Sequence, residues 1–346
     1  MKVAVVRNRS TDGIINRFGQ PCPEVYGKQT VQRVINALEA GGHTVACIEA
    51  DKSMLAELEK FMPPEADAAT GRPGGIVFNM AYGIQGQSRY THVPAMLEMA
   101  GIPYTGACPL GQAVSLDKVI TKILVRDAGI PTPRFQVLSR PDQYCEGLRF
   151  PLIVKPRHES TSYGLHLVRN DEELQAAVLS VVAQFQQQAL VEEYIDGREV
   201  CVGLLGNQPA EILPPVELDF GDRPLKTLIW EDKYHKRSDE PWKICPAPLS
   251  ADLSAAVRSL ALDTFQLCHC RDYARVDMRI DVFGKPFVLE INSMASLGPG
   301  GSFVRAAHEA GYDFFSLVAR ILDVAHERYY GVSAPKDTCA AGTTAL

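Results

Sequence analysis

Two carboxylates set against each other on one hairpin are the residues of this sequence best suited to chemistry. Residues 275–292 read RVDMRIDVFGKPFVLEIN. Val276, Met278 and Ile280 alternate with Arg275, Asp277, Arg279 and Asp281, and Phe287, Leu289 and Ile291 with Val288, Glu290 and Asn292, a period of two. Phe283-Gly284 marks the turn, where glycine supplies a positive φ. A hairpin centred there sets Asp277 opposite Glu290 and Arg275 opposite Asn292. Facing carboxylates repel, and a cation relieves that repulsion. Oxygen ligands of this kind suit a hard ion such as Mg²⁺, held by one or two carboxylates together with substrate phosphates. A solvated polar face on an antiparallel hairpin gives the same alternation, so the rest of the chain has to decide.

Other side chains point towards phosphate. Lys155 ends an apolar strand just before Pro156, beside the small-residue loop Glu159–Gly164, whose backbone N–H groups and hydroxyls can cradle an anion. The competing reading is a lysine at the surface end of a strand. Lys118, one turn into a helix, is a second candidate. Glu192 and Glu199 flank EEYIDGREV and can accept from ribose hydroxyls or an adenine amine; an exposed turn is the plainer explanation. Lys233 and Tyr234 lie in the long aromatic and charged loop 219–243, which also holds both tryptophans, Trp230 and Trp242. Structureless loops of that length are usually lids or binding loops. Gly298–Ser302 precedes a helix beginning near Phe303, whose free N–H groups and positive end suit a carboxylate or phosphate, or it is a simple connector.

These residues need a frame. Strands over 2–7, 43–50 and 75–79 alternate with helices over 31–38, 54–61 and 91–101, which indicates a parallel sheet. Its two carboxyl-end loops, 8–27 and 80–90, are where such sheets carry ligands. Asp117 is a helix N-cap, with Val119, Ile120, Ile123 and Leu124 as the apolar face. An α+β unit follows, with strands over 150–156, 164–169 and 189–195 and a helix over 171–185. The third unit has strands over 200–206 and 210–218, the loop 219–243, a helix over 251–267, the hairpin, and helices from 303 and over 314–327.

Composition narrows the function classes. The 346 residues suit two or three domains, and 46% hydrophobic content is enough for sizeable cores. A net charge of −6 argues against broad nucleic-acid binding, which needs a basic footprint. MKVAVVRN reads as a strand rather than a leader, and no apolar run is long enough to span a membrane, so a cytoplasmic location is expected. The nine cysteines are scattered. Only Cys268-His269-Cys270 is clustered, without a second ligand pair, so reduced thiols are expected rather than zinc.

Taken in order, SLDK with Lys118, IVKP with Lys155, the loop 159–164, EEYIDGRE, DKY with Lys233, RVD with Arg275 and LEIN with Glu290 and Asn292 resemble the ATP-grasp superfamily, and within it the D-alanine–D-alanine ligases. LEMAGIPYTG, LDKVITK, GIPTP and AGYDFFSLVARIL add to the likeness, which covers residues 1–331. The resemblance implies an α/β (α+β) ATP-grasp fold of three domains: a parallel-sheet N-terminal domain (1–114), a central lobe (115–192) and a C-terminal lobe (193–331), with ATP between the last two and a disordered tail (332–346). It implies an ATP-dependent carboxylate–amine ligase working through an acyl phosphate, with ATP and two Mg²⁺ ions (Mn²⁺ as a substitute) as cofactors. Lys118, Lys155 and Lys233 would contact phosphates, Glu192 and the backbone near Tyr194 adenine, and Glu199 ribose. Asp277, Glu290 and Asn292 would hold the metal, and Arg275 would stabilise the acyl phosphate and the tetrahedral intermediate. Glu24 would recognise the first amino acid's ammonium, linked to Ser162 or Thr161 and to Tyr234. The partners implied are an amino acid or small carboxylate, an amine or amino-acid acceptor, and a second copy of the chain in a homodimer, with no nucleic acid or membrane.

The chain departs from the family at the substrate end. Tyr82-Gly83 replaces the usual His-Gly, and Met294, Ala295 and Ser296 replace small residues with a Pro-Gly pair. The serine that would hold the acceptor carboxylate aligns with Gly301, with Ser302 one position late. D-alanine ligation and the joining of a different amino acid and amine both fit this pattern; a non-catalytic ATP-binding protein fits it less well.

Overall fold

The structure, a computed structural model, describes residues 1–9, 14–16, 21–64, 74–223, 226–227 and 241–331. Lys233, Tyr234, Trp230 and the tail from 332 lie outside the described residues.

Strand β1 (Lys2–Arg7) runs parallel to β2 (Thr44–Glu49) on one side and β3 (Gly75–Met80) on the other, as the alternation predicts. Val3, Ala4, Val5 and Val6 are all fully buried, because crossover helices cover both faces of a parallel sheet. Helices α1 (Lys28–Ala40) and α2 (Met54–Phe61) make the crossovers, and a 3₁₀ turn (Arg89–Thr91) leads into α3 (His92–Met99).

Two short helices, α4 (Pro109–Leu116) and α5 (Lys118–Asp127), lead into an antiparallel sheet of order β4-β7-β5-β6. Its strands are β4 (Phe135–Leu138), β5 (Leu152–Pro156), β6 (His166–Val168) and β7 (Ala189–Glu193). Helix α6 (Asp171–Phe185) packs Leu174, Val178 and Val181 on it.

Of the apolar face expected of α5, Val119 is buried and Leu124 packs against the core, but the two isoleucines are exposed. Ile120 and Ile123 are 36% and 38% exposed, whereas Lys118 and Lys122 are 7% and 0% exposed. The helix turns its lysine stripe inwards because buried acids wait there for it, so ion pairing overrides apolar patterning.

The largest sheet is antiparallel, of order β11-β10-β8-β12-β13 with β9 on β8. It comprises β8 (Gly197–Gly206), β9 (Ala210–Ile212), β10 (Val216–Asp219), β11 (Trp242–Ile244), β12 (Tyr273–Asp281) and β13 (Pro286–Asn292). The single strand expected over 210–218 is two, since Pro214 and Pro215 cannot donate to a ladder. The loop expected over 219–243 is shorter at both ends, since Asp219 closes β10 and Trp242 and Lys243 open β11, with Asp219 opposite Trp242. On one face, α7 (Ala251–Leu267) buries Val257, Ala261 and Phe265 against Val202, Val276 and Met278. On the other, α8 (Ser302–Glu309) and α9 (Phe314–Tyr330) lie in a single core with β1, β3 and α1. That shared core brings the loops after β1 and β3 to the face of the large sheet.

The hairpin register also differs in one respect from expectation. Asp277 pairs with Glu290 and Arg275 with Asn292, as expected, but Met278 pairs with Val288, so Leu289 is an extra residue. A bulge of this kind breaks the two-residue period. Val288 and Ile291 are therefore the core residues of β13, and Leu289 joins Glu290 in lining the cleft.

Candidate active site

A cleft of about 420 Å³ lies where the three sheets meet, a size that suits a small-molecule ligand. Its lining includes Glu24, Lys118, Lys155, Thr161, Ser162, Glu199, Arg275, Asp277, Glu290, Asn292, Ser296, Gly301 and Ser302. Residues spread over nearly the whole chain thus meet in one space.

At one end the cleft is cationic. Lys155 reaches it from the end of β5, and its ammonium is 2.5 Å from Glu192 Oε1. Lys122 Nζ lies 2.8 Å from the other oxygen of Glu192 and donates to Thr132 Oγ1 at 2.7 Å. Burial by itself would raise the Glu192 pKa, but Lys122 and Lys155 more than offset it and bring it down to about 2. The effect on the lysines differs. Burial lowers Lys122, only partly offset by Glu192, while for Lys155 the carboxylates of Glu192 and Glu290 outweigh burial and raise it. One carboxylate cannot fully compensate two ammonium groups. Lys118 is lowered by burial, partly offset by Glu290, whose Oε2 is 3.7 Å from its ammonium.

The loop after β5 closes over this end. Thr161 and Ser162 have φ of 57° and 60°, left-handed conformations that cost roughly 1–3 kcal/mol each in residues other than glycine. Gly164, at φ +77°, packs so closely that a Cβ there would lie 2.6 Å from the Phe185 ring. The loop is pinned from outside: Lys118 donates to the Glu159 carbonyl, and Ser160 Oγ donates to the Glu24 carboxylate. The loop hydroxyl on Glu24 is thus that of Ser160, one and two residues before the expected Thr161 and Ser162. Tyr90 donates to the same carboxylate. Tyr82 stacks on Tyr26 with ring centroids 5.1 Å apart and leans on Tyr90 at 5.4 Å, so stacked phenols wall the Glu24 end.

The hairpin floors the middle of the cleft. Arg275 makes a two-pronged pair with Asp277, at 2.6 and 2.7 Å, and Asn292 Nδ2 donates to Asp277 Oδ2 at 2.9 Å. With Glu290 alongside, the donor set is two carboxylates and an amide. All three can offer oxygen, which fits Mg²⁺ rather than a softer metal. Glu199, 9% exposed, accepts from Arg279 Nη1 at 3.2 Å. Arg279 also donates to the Ile195 carbonyl at 2.5 Å and the Gly197 carbonyl at 3.0 Å, which fixes the β7–β8 connection. At the far end the N-terminus of α8 opens into the cleft beside Gly298–Gly301, and Lys243 Nζ donates to the Gly300 carbonyl at 2.5 Å.

Two expected residues stand apart from the rest. Glu192 is 3% exposed and is not among the cleft-lining residues; its part in this structure is counter-ion to Lys122 and Lys155. The Tyr194 N–H donates to the Pro151 carbonyl at 3.0 Å, and the Tyr194 ring lies 4.8 Å from the Arg279 guanidinium. Lys122, Arg279, Ser160, Tyr90 and Arg89 escape a reading of the sequence. Lys122, four residues after Lys118, carries a helical-face signal. Arg279, two after Asp277, carries a strand-face signal. Ser160 lies in the small-residue loop 159–164 and Arg89 and Tyr90 in the carboxyl-end loop 80–90, so their segments are legible although the individual side chains are not.

Comparison with known proteins agrees with this geometry. A sequence profile described as "D-ala D-ala ligase C-terminus" matches residues 124–323. The chain is 50% identical over 335 residues to a protein of Sinorhizobium fredii described as "Uncharacterized protein y4sG", across 96% of this chain and 98% of that one. It is 35% identical over 305 residues to a D-alanine–D-alanine ligase of Alcanivorax borkumensis, across 88% and 94% of the two chains. In fold it matches the crystal structure of the Bacillus anthracis D-alanine–D-alanine ligase complexed with ATP, with a TM-score of 0.72 over 95% of this chain and 98% of that one, at 21% identity. The fold is therefore ATP-grasp, and the chain belongs to the D-alanine–D-alanine ligase family.

Proposed function

We propose that this protein is an ATP-dependent carboxylate–amine ligase. The observation that carries the proposal is the single cleft in which a lysine-rich end, an oxygen-donor set with an arginine, a buried glutamate and a helix N-terminus lie side by side. In the proposed reaction an oxygen of the donor carboxylate attacks the γ-phosphorus of ATP and the bond to ADP breaks. The neutral acceptor amine then attacks the acyl carbon, the bond to phosphate breaks, and the nitrogen releases one proton as inorganic phosphate leaves. Both steps build charge on oxygen, which fixed cations stabilise.

In this reading Lys118 and Lys155 hold the phosphates, joined by Lys233. Glu199 takes the ribose, while Glu192, expected at the adenine, stays behind the cleft as counter-ion to Lys122 and Lys155, and the Tyr194 N–H stays on the Pro151 carbonyl. Asp277, Glu290 and Asn292 would hold two Mg²⁺ ions, which supply charge neutralisation on the transferring phosphoryl group. Arg275, paired with Asp277 beside the proposed metal ligands, would stabilise the charge that develops on the acyl oxygen. Glu24 receives the first substrate's ammonium, with Ser160, Thr161, Ser162 and Tyr234 closing over it. The α8 N-terminus, with Ser296, Gly301 and Ser302, receives the acceptor's carboxylate.

A second substrate reading has its own support. Tyr82 and the phenols around it wall the Glu24 end, and glycine stands at 301, so a pair other than two D-alanines fits the site as well. ADP release measured over pairs of D- and L-amino acids separates the readings. Release with D-alanine alone supports the cell-wall dipeptide; release only with another pair removes it. Absence of ADP with every pair, together with no nucleotide binding, overturns the ligase proposal. Glu290→Gln is expected to lower turnover at least tenfold, the scale on which lost metal-site groups act; unchanged turnover removes the metal assignment.

A further inference from the structure

Arg89 has no part in the roles above, yet its placement is built with care. It stands in the 3₁₀ turn after β3 and is 1% exposed. Its Nη2 is 3.1 Å from Glu159 Oε2, with the two side chains 2% and 4% exposed. Gly83 makes this possible: its φ is +84°, and a Cβ there would lie 2.2 Å from the Arg89 carbonyl oxygen. Glu159 accepts from Gln187 Nε2 at 2.6 Å with its other oxygen, and its carbonyl receives the Lys118 ammonium. That ammonium lies 3.7 Å from Glu290. A continuous line of polar contacts therefore runs from the first sheet's loop, through the phosphate loop, to the proposed metal ligands. A carboxylate as buried as Glu159 is costly without a cation beside it, and Arg89 meets its Oε2 directly.

We infer that Arg89 is a positioning residue: by holding Glu159 it sets the loop 159–164 and the Lys118 ammonium in nucleotide-binding geometry, without touching a reacting atom. The inference rests on the nucleotide reading given above. It makes the loop that grips phosphate depend on the same segment, residues 80–90, that carries Tyr82 and Tyr90 to the other substrate's end of the cleft.

The test is calorimetric titration of the full chain with the non-hydrolysable analogue AMP-PNP and Mg²⁺. It compares wild type, Arg89→Met, Arg89→Lys, Glu159→Gln and the Arg89→Met/Glu159→Gln double variant, with thermal unfolding followed separately without nucleotide. Arg89→Met is expected to weaken binding at least tenfold. Arg89→Lys, which keeps the charge but loses the fork, is expected to recover part of that loss. In the Glu159→Gln background the Arg89→Met change is expected to cost less than threefold, because the charge it answers is gone. Affinity within twofold of wild type in Arg89→Met overturns the inference, and so does an undiminished tenfold loss in the Glu159→Gln background. If Arg89→Met does not fold, Arg89→Lys decides: binding at least threefold weaker supports the inference and unchanged binding overturns it. A wild-type protein that binds no AMP-PNP overturns the nucleotide reading and this inference together. Wild-type binding that is indifferent to residue 89 overturns the inference alone.

Discussion

Glu192 shows how much a single side chain can be asked to hold. It is buried between two lysines, and either ammonium left unpaired in that place would be costly. Glu192→Gln keeps the shape but removes the charge. Breaking a buried pair in this way costs roughly 3–5 kcal/mol, which urea unfolding at pH 7 will measure as a lowered midpoint with unchanged slope. The pH dependence has a definite sign. Folding lowers the Glu192 pKa from 4.5 to about 2, so its stabilisation is complete above pH 4.5 and is lost as the pH falls towards 2. The wild type should therefore lose stability more steeply across that window than Glu192→Gln. Equal slopes would mean that the pair contributes nothing there.

At the scale of elements, α5 is the piece on which the cationic end depends. Its N-cap is Asp117, whose side chain accepts from the N–H groups of Val119 at 3.1 Å and Ile120 at 3.2 Å. The same carboxylate takes Arg157, just after β5, at 2.8 and 2.7 Å. One residue thus starts the helix that carries Lys118 and Lys122 and ties it to the strand that carries Lys155. Asp117→Asn retains the cap and loses the ion pair; Asp117→Ala loses both. Loss of a cap alone costs about 1 kcal/mol, so chemical unfolding should rank wild type above Asn and Asn above Ala, with the two variants about 1 kcal/mol apart. Equal stability of the two variants would show that the cap is idle. The Leu289 bulge is the second such device. It lets Val288 and Ile291 face the core while Leu289 and Glu290 face the cleft, which regular pairing would forbid.

Across the whole molecule, Asp272 is the point where the parts are fastened. It is fully buried and accepts from the Gly106 N–H at 2.7 Å, Asn207 Nδ2 at 3.0 Å and Arg328 Nη2 at 2.8 Å. Arg328, on α9, also donates to the Tyr104 carbonyl at 2.8 Å. The segment after α3, the β8–β9 turn and the last helix all meet there, away from the cleft. Arg328→Met leaves a buried carboxylate without its cation, at a cost of roughly 3–5 kcal/mol. Thermal unfolding should show a clear loss of stability, while AMP-PNP affinity at 20 °C stays within about twofold of wild type. A large loss of affinity would mean that this junction shapes the site as well as the fold.

The sequence by itself determined the elements and the order of the chemistry. Local periodicity and capping decide a helix such as Met54–Phe61 or a buried strand such as Leu152–Pro156, and the facing of Asp277 and Glu290 follows from a turn at Phe283-Gly284. These depend on residues close in the chain. The tertiary structure alone decided which groups share charge. The inward turn of Lys118 and Lys122, the capture of Glu192 by two lysines, the choice of Ser160 for Glu24 and the pairing of Arg89 with Glu159 join positions tens of residues apart or more. Their energies come from burial, which has no local signature. The bulge at Leu289 lies between the two cases. Its residues are adjacent, but only the core beneath Val288 and Ile291 made the extra residue worth its broken ladder.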